Sequence, residues 1–113
     1  MRWNDIIRKN DATKALLEII MEDLKVTIPH HIDQSLQLNR MMGFDISDKA
    51  MQQIWRDTWG NNARTVVGMD SEWVRQFLGS GYTMDEVNWN EISKRVIAEY
   101  DRIFDMMWYY VER

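Results

Sequence analysis

Two adjacent histidines, His30 and His31, with Asp33 close behind, are the first place to look for a metal in this chain. Neighbouring residues on a helix point about 100° apart, so the pair cannot close on one ion as two histidines four residues apart do. No other ligand at a recognised spacing completes a set, and the sequence has no cysteine to supply a thiolate. No metal site is expected, and the pair reads as a partly exposed helix start. Glu18 with Glu22 and Asp101 with Asp105 are carboxylates at i,i+4. A di-iron bundle site would need an accompanying E-x-x-H, which is absent, so these pairs read as solvated helix faces.

Nucleophilic chemistry has no better footing. Ser35, Ser47, Ser71, Ser80 and Ser93 occupy no G-x-S-x-G elbow, and the only histidine base would come from the 30/31 pair. Gly79-Ser80-Gly81-Tyr82-Thr83 is the nearest thing to a phosphate loop, yet it lacks the Walker lysine and its spacing. No catalytic residue and no cofactor is therefore expected, and the reading leans away from an enzyme. A small enzyme with an unrecognised site is the lowest alternative.

The stretch from Phe77 to Val87, with Gly79-Ser80-Gly81-Tyr82-Thr83 inside it, resembles the turn of helix-turn-helix regulators. That resemblance implies a nucleic-acid-binding regulator with its turn at residues 79–83, the second functional reading. Against it, a recognition helix presents basic or amide side chains near its start, and Met84-Asp85-Glu86 offers acids. Trp55, Arg56, Trp59 and Arg64 could form a stacking and phosphate patch, but both tryptophans lie on the stripe that should face a core.

The strongest functional hint lies at the C-terminus. Residues 104–111 are apolar or aromatic at every position except Asp105. Advancing 100° per residue from Trp89 gathers Ile92, Val96, Tyr100, Ile103, Phe104, Met107, Tyr110 and Val111 within an arc of roughly 120°. Met106 and Trp108 fall to either side of that stripe and Tyr109 falls almost opposite it. One core cannot easily bury them all, and Met, Trp and Tyr are enriched at interface centres. Met106, Trp108 and Tyr109 are thus the candidate partner-binding residues. The leading expectation is a non-catalytic helical module that binds another protein or itself, acting as a small accessory or inhibitory protein.

The elements that must position these residues are helical. The chain has 113 residues, one proline and five glycines, which suits one domain of helices joined by short turns. Six tryptophans and nine methionines suggest a core of large, adaptable side chains. Asn10 or Asp11 offers an N-cap for a helix to about Lys25, with Pro29 as a stop. A weaker pattern runs from His31 to Met42, and Ser47 caps a helix to about Trp59. A short helix begins at Asp70 or Ser71. Thr83-Met84-Asp85-Glu86 is a capping box, followed by a second capping signal at Asn88 and a fresh start at Trp89. At the opening, Trp3, Ile6 and Ile7 should tuck under the domain. Residues 26–28 and 65–67 are β-prone and could pair as a minor two-stranded ribbon. The expected fold is all-α, a compact bundle of five or six short helices packed on a long C-terminal helix, spanning residues 1–113 as a single domain.

The formal charge is −4, and the acids concentrate at the end of the chain. Asp85, Glu86, Glu91, Glu99, Asp101, Asp105 and Glu112 stand against Lys94, Arg95, Arg102 and Arg113. Such a face is a poor match to phosphate backbones. No run of 18 apolar residues is present, so no membrane partner is expected. The opening Met-Arg-Trp-Asn-Asp lacks a signal-peptide core, which makes the cytoplasm the expected location.

Overall fold

The computed structural model describes the backbone of residues 3–42 and 48–111. Side chains are described there except at 38–40, 42, 48–49 and 108–111. Helix α1 spans Trp3–Met42, α2 Asp48–Trp59, α3 Ala63–Gly68, α4 Ser71–Gly79 and α5 Trp89–Val111, with a single 3-10 turn at Met84–Glu86. The fold is all-α. The β-prone residues 26–28 lie within α1 and 65–67 within α3, and no strand occurs among the described residues, so the ribbon does not form. Burial explains this. Ile28 and Val67 are both fully buried from helical positions, where packing outweighs the β-preference of branched side chains.

Helix α1 is one element of 40 residues, not two separated by Pro29. Proline has no N–H for the Lys25 carbonyl and costs a helix interior about 3 kcal/mol. On either side of it Ile28 and Ile32 are both 0% exposed, and each such burial contributes about 1.5–3 kcal/mol. The helix therefore continues through the proline because its packing holds it. Ala12, Leu16, Ile20, Leu24, Ile28 and Ile32 are all buried at a strict spacing of four. Four residues advance a helix by about 40° beyond a full turn, so this stripe winds some 200° around α1 over its length. A winding stripe needs a succession of partners, which is why no single apolar face of α1 is legible.

The partners arrive in order. The Trp73 indole donates to Asp23 Oδ2 at 3.1 Å and Arg8 Nη2 to the Gly81 carbonyl at 2.9 Å, so α4 runs antiparallel to α1. The Asn88 N–H donates to Thr13 Oγ1 at 2.9 Å, and the rings of His31 and Tyr100 lie 6.3 Å apart, so α5 runs parallel to α1. Helix α2 is antiparallel to α5: Ser93 Oγ lies 2.6 Å from the Trp59 carbonyl while Arg56 Nη2 bonds Asp101 at 2.8 Å. Trp3, expected under the domain, is instead 74% exposed, and Ile7 44%. The first turn of α1 precedes the level at which α5 begins, so α5 does not cover them.

Caps set the other boundaries. Asp70 Oδ1 accepts from the Glu72 and Trp73 N–H groups at 3.1 Å, starting α4. The Thr83 N–H donates to Glu86 Oε2 at 3.1 Å, closing the 3-10 turn, and Asn88 Oδ1 accepts from the Glu91 N–H at 3.3 Å to start α5 afresh. The expected cap at Ser47 lies outside the described residues.

Candidate interaction surface

Along α5 the apolar stripe is covered by the domain itself as far as Phe104. Ile92, Val96 and Tyr100 are fully buried, and Ile103 and Phe104 nearly so. The cover then gives out: Met107 is half-buried and Met106 is 50% exposed. The backbones of Trp108 and Tyr109 continue the helix, while their side chains lie outside the described residues. Because α1 is parallel to α5 and α2 antiparallel to it, the end of α5 shares one pole of the molecule with the end of α1 and the start of α2. On α1, no described residue after Ile32 is buried, and Met41 is 83% exposed.

Below this pole lies an aromatic seam. The Trp55 ring stacks on Tyr100 with centroids 4.4 Å apart, Tyr100 continues to Phe104 at 5.9 Å, and Trp55 reaches Trp59 at 5.9 Å and His31 at 6.0 Å. The seam accounts for much of the tryptophan content as core, the packing role expected of it. It also carries unsatisfied groups. Trp55 Nε1, Tyr100 Oη and Asp101 Oδ1 are buried without a hydrogen-bond partner among the described residues, which is uncommon in folded proteins. Burial, and then the nearby Asp101 charge, push the Tyr100 phenol up to about 12.

The residues first weighed for chemistry are spread apart. His30 and His31 are both exposed on α1, and the His31 ring lies tilted against the aromatic seam. Among the described residues no group of three or more His, Cys, Asp or Glu is placed to hold a metal. Glu18 and Glu22 line a groove of about 710 Å³ between α1 and α4. Asp23, Asp70 and Glu72 join them over a floor of Ala15, Ile19 and Trp73. Asp101 is tied to Arg56 at 2.8 Å. The 79–83 turn leads into the 3-10 turn, not into a helix. Tyr82 stacks on Phe77 at 5.8 Å beneath the Arg8 guanidinium, 5.3 Å away. Asp85 pairs with Arg64 and Glu86 with Arg8, so both acids at this turn are engaged by cations of the same chain. Hydrogen bonds from Arg8 and the Thr83 N–H hold the Glu86 carboxyl below the ordinary range. Trp55 and Trp59 face the core, which leaves Arg56 and Arg64 without an accompanying exposed tryptophan of that set.

Sequence reasoning missed Thr13, Asp23 and the Trp55–Tyr100 pair. The only signal available for Thr13 was a hydroxyl on an otherwise apolar flank of α1. Comparisons of the chain with protein-family models, with curated proteins and with solved structures found no match. No helix among the described residues is long and apolar enough to cross a membrane.

Proposed function

We propose that the chain is a non-catalytic helical module that binds another protein, or a second copy of itself, through the pole where α1, α2 and α5 meet. The observation that carries this reading is the loss of cover along α5. The stripe is closed through Phe104, yet the helix continues with Met106 half open and with Trp108 and Tyr109 still to come in sequence. Methionine is adaptable and tryptophan and tyrosine anchor interface centres, so the composition of this end suits recognition of an apolar protein surface.

The test compares the wild-type chain with a Trp108→Ala/Tyr109→Ala double variant by light scattering and by cross-linking in a native extract. The expected result is unchanged helicity and melting temperature, with self-association or partner capture weakened at least tenfold. A large loss of stability with association intact would put those side chains in the core and end the proposal.

A further inference from the structure

We infer that α1 is hinged at Pro29 and that its last third, from His30 onward, swings as a unit away from the fold to uncover Trp55 and Tyr100. Three independent features meet at this point. The first is the backbone: Pro29 leaves the Lys25 carbonyl without its helical donor, so the α1 ladder is weakest there. The second is anchorage. Before the proline, Ala12, Leu16, Ile20, Leu24 and Ile28 are buried. There too Thr13 and Asp23 bond α5 and α4. After it, Ile32 is the one fully buried side chain among the described residues, with Leu36 half-buried. The hydrogen bonds of the described residues there, Ser35 Oγ to the His31 carbonyl and Gln37 Nε2 to Asp33, stay within α1.

The third feature is what the arm covers. His31 lies against both Trp55 and Tyr100, with ring centroids 6.0 and 6.3 Å away. The indole N–H and the phenol hydroxyl of that pair are buried without hydrogen-bond partners among the described residues. Among the described residues of the arm, Ile32 and the half-buried Leu36 are the apolar side chains that hold it closed, while two hydrogen-bonding groups are kept from water. Opening costs Ile32, Leu36 and the uncovered ring faces part of their burial and gives both groups solvent. Rigid-body motion at the proline preserves the helix on either side, so it is favoured over unravelling. This inference does not rest on the proposed function, since the motion belongs to the free chain.

Amide hydrogen exchange by NMR on the full chain at neutral pH tests it. The expected pattern is a step at Pro29: amides of residues 32–37 share one protection factor, at least a hundredfold below that of residues 16–24. Ile32→Ala should lower the shared value tenfold or more and leave residues 16–24 unchanged. Tyr100→Phe removes the hydroxyl that opening would solvate, so it should raise protection of residues 32–37 severalfold. Protection that declines smoothly toward the helix end would mean ordinary fraying and overturn the hinge. Equal loss everywhere in Ile32→Ala would mean one cooperative unit, and no response to Tyr100→Phe would mean that the arm does not uncover the pair. Either result overturns the inference.

Discussion

The side chain that ties the two long helices together is a threonine. Thr13 is 6% exposed, its hydroxyl donates to the Lys9 carbonyl at 2.8 Å, and its oxygen accepts the Asn88 N–H at 2.9 Å. It thereby satisfies a backbone donor at the start of α5 that the helix itself cannot serve. Thr13→Val keeps the shape and deletes the acceptor, so the Asn88 N–H is left unpaired at a cost of about 1–3 kcal/mol. Denaturant unfolding should show a lower midpoint at unchanged slope. Residue-level features of this kind were legible in the sequence only where both partners are close along the chain. Asp70, Asn88 and the Thr83–Glu86 pair could be found because capping has a fixed local spacing. Thr13 with Asn88, and Trp73 with Asp23, join residues far apart in sequence, and no pattern within either segment announces them.

Among elements, the α2–α3 turn shows how tightly two helices can be joined. The Gly60 N–H reaches the Arg56 carbonyl at 2.7 Å, and a Cβ on Gly60 would stand 2.8 Å from that same oxygen. Ser93 of α5 sits beside this turn, its Oγ 2.6 Å from the carbonyls of both Trp59 and Gly60. Gly60→Ala must push the turn away from backbone that cannot yield, and overpacking of this kind costs about 1–3 kcal/mol. The thermal midpoint should fall, whereas alanine at Gly79, which has open space around the added carbon, should not disturb packing. The end of α2 near Trp59 was legible, but the closeness of Gly60 to Arg56 was not. The α1 boundary was misjudged for a related reason. Pro29 is a strong local signal against a helix, and the isoleucines that override it act through contacts with other elements.

At the scale of the whole molecule the fold class was readable, because composition, caps and the α5 stripe all speak the same helical language. Of the three residues singled out at the C-terminus, Met106 has a described side chain and is half exposed. The overall electrostatics follow from particular pairs. Hydrogen bonding to Arg75 and Gln76 holds Glu72 below its ordinary value near 4.5, to Arg8 and Thr83 does so for Glu86, and to Arg102 for Glu99. Their folded values lie below the unfolded ones, so their stabilisation is complete above the carboxylate range and is lost as pH falls through it. Melting temperature should thus be level near neutrality and decline below about pH 4.5, less steeply in a Glu72→Gln/Glu86→Gln/Glu99→Gln variant. Because these pairs are on the surface the effect should be modest and weaken with salt. The four-residue stripe of α1 has one more consequence, which concerns length and not chemistry. A residue inserted between Ile20 and Leu24 would turn everything beyond it by about 100° and carry it 1.5 Å along the axis. Leu24, Ile28 and Ile32 would all leave their seats together, although each side chain remained unchanged. Helix α1 thus holds the domain in phase, as a reading frame does, and should tolerate many exchanges of one apolar residue for another but no change in count.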